Sequence, residues 1–342
     1  MMEPNSPIPP RLLNNDEQDS VQAHRFAHQA MATVFEIICV HEDRDYAEQA
    51  AHAAFDQIDR LESELTCHRS SSDISRINRL KPGEDTSVGM RTMECLLLAR
   101  HFYAETRGAF DISLGSGLEA VEMIPSDSRV RVHANKISLD LGGIGKGYAI
   151  DRAGELLQEW EIDRALVHGG FSSVLVLDPP PDREGWPLTI SLPGAAVVLA
   201  RVVARRRAWS ASGIRKKDHI VDPRTGLSVR NRPAAWVSGS MESLSAACRG
   251  HNLTIPAGIS ETADSPAAVA EALSTAFMIM PLEEIASYCL RYPGVEARLL
   301  MSDPSGASVS PVMVHMSAQS HLEGAALACP AKRGEPRRGD PF

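Results

Sequence analysis

The sequence predicts an α+β fold in which helices and strands are mixed along the chain. Segments with helical periodicity and segments with strand-like alternation follow one another without the strict alternation of a doubly wound sheet. The chain has 342 residues, of which 43% are hydrophobic. This composition is ordinary for a globular protein and allows a sizeable core in one large or two ordinary domains.

The first half of the chain is expected to contain one strand and two long helices. A strand is predicted at residues 33–40, where apolar side chains dominate. An amphipathic helix is predicted at 46–65, with Ile58 and Leu61 on its apolar face. A second helix is predicted at 92–106, because Arg107-Gly108 is a typical helix stop.

The second half is expected to contain further strands around two helices. A strand at 137–141 is predicted to lead through a glycine-rich loop into an amphipathic helix, and residues 165–177 predict two strands that Gly169 and Gly170 separate. Alternation predicts a hairpin at 186–203. Ser265 and Pro266 predict the start of a helix that runs to about residue 280. The segments 295–301 and 308–314 predict a closing hairpin.

One ordered domain, residues 25–317, is predicted between two polar ends. Residues 1–24 form a Pro- and Asn-rich lead, and residues 318–342 form a tail with Lys and Arg among Gly and Pro. Both ends are predicted to be disordered. The polar segment 239–264 is predicted to be an inserted loop.

Charge and hydropathy exclude some classes of protein. The net charge is −9 and no basic run is long enough to argue otherwise, so nucleic acid is not expected as a partner. No apolar run is long enough to span a bilayer, so an integral membrane protein is not expected. Because the first residues lack the basic-then-apolar layout of a secretory signal, a cytoplasmic location is expected. Cys39, Cys95 and Cys289 lie in apolar segments and are expected to be buried thiols.

The glycine-rich loop before the third long helix is the first candidate site. Gly142, Gly143, Gly145 and Gly147 surround Lys146. A glycine loop that enters a helix lets a phosphate approach backbone N–H groups and the positive end of the helix. The spacing matches neither the Walker A loop nor the dinucleotide fingerprint. The alternative is a tight connection without a ligand.

The second candidate is a histidine that precedes a turn. His219 lies three residues before Asp222, so the pair could act as a general base and its partner. The alternative is a structural histidine next to a type I turn in which Asp222 bonds its own backbone. Ser212 precedes this segment within a small-residue run.

The third candidate is a pair of oxygen donors on the predicted helix after Ser265. Glu271 and Thr275 are four residues apart, so their side chains share a face. A carboxylate and a hydroxyl are hard oxygen ligands of the kind that Mg²⁺ accepts. The alternative is an exposed helical pair. The run from Gly169 to Ser173 could likewise meet a ligand or form a bulge.

Taken in order, these segments resemble the ApbE family, the FAD:protein FMN transferases. The resemblance covers about residues 31–301. The matching motifs lie at residues 31–35, 73–78, 108–111, 140–148, 212–213, 219–226 and 272–276. Each motif alone is weak evidence, whereas the whole set in the family's order is specific.

The resemblance implies an ApbE-like fold, with largely antiparallel sheets packed against helices, and an activity. Such enzymes bind FAD with Mg²⁺, transfer FMN to a Ser or Thr of an acceptor protein and release AMP. His219 would accept the proton of the incoming hydroxyl. The residues expected to contact FAD are Met31, His68, Asp111, Gly142, Gly143, Lys146, Ser212 and Asp222. The expected metal ligands are the side chains of Glu271 and Thr275 and a backbone carbonyl near Gly145.

The chain departs from the family pattern at several of these positions. Glu271 stands where an aspartate is usual, His68 stands where an aromatic residue is frequent, and Ile112 replaces a proline. Two alternatives to the transferase therefore stay open: an FAD-binding protein of the same fold that no longer transfers, and an FAD pyrophosphatase that releases FMN and AMP.

Overall fold

The computed structural model describes residues 23–191, 198–214, 220–229, 231–248, 264–302, 312–317 and 320–326. Within these ranges the chain has the α+β architecture that the sequence predicts. All neighbouring strands pair antiparallel.

A nine-stranded sheet lies at the centre of the described part. In spatial order its strands are β1 (Ala23–Ala30), β2 (Thr33–Val40), β6 (Ala165–Gly169), β7 (Ser173–Val176), β10 (Arg207–Gly213), β13 (Ala234–Ser240), β14 (Val295–Met301), β15 (Val312–Ser317) and β16 (Ser320–Ala326). The smaller sheets join β3 (Asp85–Ser87) and β4 (Val121–Ile124) to β5 (Arg129–Val132), β8 (Trp186–Ser191) to β9 (Val198–Ala204), and β11 (Val221–Asp222) to β12 (Leu227–Ser228).

Helices cover one face of this sheet. They are α1 (Arg44–Leu65), α2 (Asp73–Ile77), α3 (Met90–Glu105), α4 (Gly145–Glu159), α5 (Met241–Cys248), α6 (Pro266–Phe277) and α7 (Leu282–Arg291). Among the described helices, none combines the length and the apolar character needed to cross a membrane.

Alternate side chains of the central strands enter two different cores, as the two-residue period of a strand requires. Phe35 and Val167 belong to the large core that the helices form over one face. Ile38 and Leu166 point to the other face, where Trp186 of the β8–β9 hairpin covers them. The sheet is therefore buried on both sides, and its helical side carries the candidate site.

Helices α4 and α6 pack against each other, and their closest approach positions the site. A Cβ atom added to Gly147 would lie 2.4 Å from the carbonyl oxygen of Ala267, so only glycine allows this approach. The buried carboxylate of Asp151 accepts hydrogen bonds from the backbone N of Ala267 at 2.9 Å and of Ala268 at 2.8 Å. Asp151 thereby satisfies N–H groups of α6 that have no partner within their own helix.

Most predicted elements are confirmed. The strand at 33–40 is β2, the helices at 46–65 and 92–106 are α1 and α3, and the two strands within 165–177 are β6 and β7. The hairpin at 186–203 is β8 and β9, although its turn lies outside the described residues. Ser265 is the N-cap residue of α6, but the capping acceptor is Asp151 rather than the serine side chain.

The strand predicted at 137–141 is wrong, because this segment is irregular. The amide of Asn78 takes the place of a neighbouring strand: its Nδ2 donates to the oxygen of Leu139 at 2.9 Å, and its Oδ1 accepts from the nitrogen of Leu139 at 2.7 Å. Ile137, Leu139 and Leu141 are buried. Their alternation with polar residues explains why the sequence resembled a strand.

Three predicted boundaries also change. The segment 239–264 is not an irregular loop throughout, because β13 extends to Ser240 and α5 follows it. Strand β1 begins at Ala23, within the predicted lead of residues 1–24, and was not predicted. Strand β16 lies within the predicted tail of residues 318–342 and pairs with β15. Residues 1–22, 249–263 and 327–342 lie outside the described part.

Candidate active site

The glycine-rich loop is held in place by two other motifs of the sequence. Asn78, the residue after α2, forms hydrogen bonds with both the nitrogen and the oxygen of Leu139. The backbone N of Asp140 donates to the oxygen of Ile112 at 2.7 Å. Segments that are far apart in the chain therefore meet at the loop, and they are the segments that sequence analysis singled out.

The loop turns tightly into α4. The nitrogen of Gly145 donates to the oxygen of Leu141 at 2.7 Å, and the nitrogen of Gly142 donates to Oδ1 of Asp140 at 2.8 Å. A Cβ atom on Gly143 would lie 3.4 Å from Oγ1 of Thr275. The loop thus lies directly against α6, and a side chain at position 143 would crowd the Thr275 hydroxyl.

Glu271 is a buried carboxylate with two partners on α4. Its Oε1 accepts from the ammonium of Lys146, and its Oε2 accepts from the backbone N of Gly147 at 2.5 Å. Only 3% of Glu271 is exposed. The alternative reading of an exposed helical pair is therefore wrong for Glu271. A buried carboxylate needs compensation of this kind, because desolvation of an unpaired charge is unfavourable.

Thr275 belongs to a chain of hydroxyl groups between α6 and the sheet. Its Oγ1 lies 3.3 Å from Oγ of Ser212, which lies 2.9 Å from Oγ of Ser274. Ser274 donates to the backbone oxygen of Glu271 at 3.0 Å, and its Oγ lies 3.3 Å from Oγ of Ser210. Ser212 and Thr275, which the sequence assigns to FAD and to the metal, are thus neighbours.

Asp222 belongs to a rigid turn. Its carboxylate accepts from the backbone N of Arg224 at 3.0 Å and from the guanidinium of Arg224 at 2.9 Å. These hydrogen bonds hold the pKa of Asp222 below its usual range. The prediction that the Asp222 side chain bonds the backbone of its own turn is therefore confirmed. His219 lies outside the described residues, so its role stays a prediction.

The loop that carries Asp111 packs against this turn. Oδ1 of Asp111 accepts from Ser113, and its Oδ2 accepts from the nitrogen of Gly115 at 2.9 Å. A Cβ atom on Gly115 would lie 2.9 Å from the oxygen of Pro223. Asp111 thus shapes a loop next to Asp222, and its contact with FAD stays a prediction.

Met31 and His68 lie on two other segments. Met31 has a φ of 49° at the turn between β1 and β2, a positive value that suits a two-residue hairpin. This hairpin contacts Gly170, whose nitrogen donates to the oxygen of Val34 at 2.8 Å. His68 follows Cys67, a thiol whose pKa is raised by burial and by the charge of Asp140. Both residues stay predicted FAD contacts.

Sequence reasoning missed the pairing of Lys146 with Glu271 and the role of Asp151. Helical periodicity gave no signal for Asp151, because it places this residue opposite the apolar face of Ala149, Ala153 and Leu157, where an exposed carboxylate is expected. Burial raises the pKa of Asp151, while Arg152 and the two N–H groups of α6 oppose that shift. The partner itself is 116 residues away in the chain and could not be named in advance.

The donor set is compatible with Mg²⁺ as part of a coordination shell. Glu271, Thr275 and the carbonyl of Gly145 all offer oxygen, the ligand atom that Mg²⁺ prefers. In the part of the chain that the structure describes, no three His, Cys, Asp or Glu residues are grouped to hold a metal ion. Because Mg²⁺ commonly keeps waters and uses one or two carboxylates together with substrate phosphates, this sparse set fits a metal that binds with a phosphate-bearing ligand.

The chain is similar to two proteins named FAD:protein FMN transferase. The FAD:protein FMN transferase of Vibrio cholerae is 23% identical over 264 residues, which cover 65% of this chain and 77% of the relative. The FAD:protein FMN transferase of Klebsiella pneumoniae is 22% identical over 218 residues, which cover 54% of this chain and 68% of the relative. The relatives are transferases, in agreement with the enzyme class expected from the motifs.

Solved structures show the same fold. The apo form of the Pseudomonas stutzeri flavinyl transferase ApbE superposes with a TM-score of 0.70 at 20% identity and covers 89% of this chain and 97% of that chain. The flavin transferase ApbE of Vibrio cholerae gives a TM-score of 0.69 at 18% identity, over 87% of this chain and 98% of that chain. The model of the ApbE family matches residues 31–246, more than half of the sequence. This chain therefore belongs to the ApbE family.

Proposed function

We propose that the protein is an FAD:protein FMN transferase, which moves FMN from FAD to a Ser or Thr of an acceptor protein and releases AMP. The observation that carries this proposal is the meeting of three features: the glycine-rich loop, the buried Glu271 beside Lys146, and the Thr275 hydroxyl. Together they offer a phosphate-binding helix terminus next to oxygen ligands for a cation.

The pyrophosphate of FAD would bind where α4 begins. The positive end of the helix dipole and the ammonium of Lys146 both favour negative charge at that point. The absence of side chains at Gly142 and Gly143 lets a phosphate approach the backbone closely. Ser212 offers a hydroxyl at the same place, next to Thr275.

Glu271, Thr275 and the carbonyl of Gly145 would hold Mg²⁺. A bound Mg²⁺ would screen the charge of the pyrophosphate and orient it for in-line displacement. In this assignment α6 provides both side-chain ligands and α4 provides the backbone ligand. The contact between the two helices at Gly147 therefore fixes the ligands relative to one another.

His219 would act as the general base. The hydroxyl oxygen of the acceptor attacks the phosphorus of the FMN half, the anhydride bond to the AMP half breaks, and AMP leaves with the bridging oxygen. The hydroxyl proton passes to His219. The turn at Asp222, which Arg224 fixes, provides a rigid anchor three residues beyond this histidine.

The test combines purified protein, FAD, Mg²⁺ and a Ser- or Thr-containing acceptor peptide. We expect the peptide to gain the mass of FMN less one water, with release of an equimolar amount of AMP, only when Mg²⁺ is present. His219→Ala should retain FAD and lose at least about 10²-fold in rate, the typical contribution of a general base. A fully active His219→Ala variant would refute the assigned role.

Both oxygens of Glu271 already accept hydrogen bonds from α4. This observation favours one alternative, an FAD-binding protein with an impaired metal site. Glu271→Asp distinguishes the two readings, because the shorter side chain restores the residue that the family usually has. A large gain in transfer would support the impaired site, whereas unchanged or reduced transfer supports a functional glutamate. AMP release without a labelled peptide would indicate a pyrophosphatase.

A further inference from the structure

We infer that Lys146 is the resident counter-ion of Glu271 and that a divalent cation must displace it to bind. This inference rests on the proposed function, because it concerns the metal ligand assigned there. Its basis is geometric: each oxygen of the buried Glu271 carboxylate already has one donor on α4.

The two donors differ in their freedom to move. The backbone N of Gly147 belongs to the first turn of α4, and the close approach of Gly147 to Ala267 fixes α4 against α6. Asp151 secures the same contact one turn further along α4. The Gly147 nitrogen, the donor to Oε2 of Glu271, is therefore fixed relative to α6 by the packing of the two helices.

The ammonium of Lys146 is the exchangeable partner. Its side chain is 23% exposed, whereas the side chain of Glu271 is only 4% exposed. A lysine side chain has four methylene groups and can carry its charge to solvent without backbone movement. The Oε1 atom of Glu271 is thus the oxygen that becomes free for a cation.

Electrostatics makes the exchange obligatory. An ammonium and a divalent cation repel each other strongly at contact distance in a poorly solvated site, so both cannot bind Oε1 together. Entry of the metal therefore releases Lys146 towards the adjacent glycine-rich loop, where a phosphate would attract it. Conversely, a phosphate at the loop that draws Lys146 away leaves Glu271 ready for the metal, so the two ligands should bind with positive, reciprocal coupling.

The experiment measures Mn²⁺ binding without nucleotide, by electron paramagnetic resonance of free Mn²⁺. It compares the wild type with Lys146→Met and with Lys81→Met, a matched change at an exposed lysine. We expect Lys146→Met to bind Mn²⁺ at least about tenfold more tightly, because no ion pair must be broken first. Lys81→Met should behave as the wild type, and Glu271→Gln should abolish tight binding in both backgrounds.

Thermal unfolding provides a second readout. Without metal, Lys146→Met should unfold at a lower temperature than the wild type, because it leaves Glu271 buried and unpaired. Saturating Mn²⁺ should raise its unfolding temperature more than that of the wild type. Lys146→Gln serves as a second variant if the methionine variant does not fold.

Three outcomes would overturn the inference. Equal or weaker Mn²⁺ binding by Lys146→Met, while the wild type still transfers FMN, would refute the counter-ion role and leave the proposed function intact. Tighter binding that survives Glu271→Gln would place the metal elsewhere. Absence of Mn²⁺ binding and of FMN transfer in the wild type would refute the inference and the proposed function together.

Discussion

Replacement of Asp151 by alanine should destabilise the protein through the N-terminus of α6. The carboxylate accepts two backbone hydrogen bonds at 2.9 and 2.8 Å inside the core. Loss of a helix cap costs about 1–2 kcal/mol. The variant also leaves two buried backbone N–H groups without an acceptor, which adds about 1–3 kcal/mol. We therefore expect the free energy of unfolding to fall by about 3 kcal/mol in Asp151→Ala and by about half of that in Asp151→Asn.

Urea unfolding followed by tryptophan fluorescence measures this change. The midpoint should fall while the slope stays constant, since the unfolded state is not altered. Asp56→Ala, at an exposed position of α1, is the control and should stay within about 0.5 kcal/mol of the wild type. Mn²⁺ affinity should also fall in Asp151→Ala, because α6 carries Glu271. A stability loss below about 0.5 kcal/mol would refute the assigned role of Asp151.

The remaining predictions concern three other contacts of the site. Gly147→Ala should lose about 3 kcal/mol of stability, because its added Cβ would clash with the Ala267 carbonyl. Gly145→Ala is the control and should be nearly neutral, since its added Cβ would lie 3.9 Å from the nearest neighbouring atom. Chemical denaturation of both variants measures the difference. Ser274→Ala should lower the free energy of unfolding by about 1 kcal/mol and weaken Mn²⁺ binding, because its hydroxyl bonds Ser212 and the backbone of Glu271. Ser245→Ala removes a buried hydroxyl that has no partner among the described residues, and it should change neither the stability nor the Mn²⁺ affinity. The pKa of Asp222 lies below its usual value because Arg224 donates to it, so this carboxylate stabilises the folded state above about pH 4 and loses that effect as the pH falls through its lowered pKa. A carbon NMR titration of Asp222 should therefore show an upward shift of its pKa in Arg224→Gln, and an unchanged pKa would contradict the assignment.

Sequence periodicity was sufficient for most of the regular structure. The apolar runs of β2, β6 and β7 and the helical patterns of α1, α3 and α6 follow directly from local side-chain order. The segment 137–141 was wrongly predicted as a strand, because an irregular segment with every second side chain buried shows the same alternation of apolar and polar residues. Its backbone is satisfied by distant partners, among them the amide of Asn78, 61 residues away in the chain, and the carbonyl of Ile112. Strand β1 contains two adjacent polar pairs, His24-Arg25 and His28-Gln29, and therefore lacks the alternating apolar pattern of a strand.

The residues of the candidate site could be predicted from the sequence, but the contacts between them could not. The i, i+4 spacing places Glu271 and Thr275 on one face of a helix, and the glycines mark a close approach of backbone. That Lys146 meets Glu271, or that Ser212 meets Thr275, depends on tertiary packing between α4, α6 and β10. No local pattern contains these pairings. His219 remains assigned from the sequence alone.

The most direct test of the central claim is the mass of an acceptor peptide after incubation with FAD and Mg²⁺, measured for the wild type and for Thr275→Val. The valine variant keeps the shape of the threonine and removes one of the proposed metal ligands. We predict that the wild type adds one FMN and releases one AMP, and that Thr275→Val loses most of this transfer in a manner that excess Mg²⁺ partly restores. Undiminished transfer by Thr275→Val, or intact FAD after incubation with the wild type, would contradict the account.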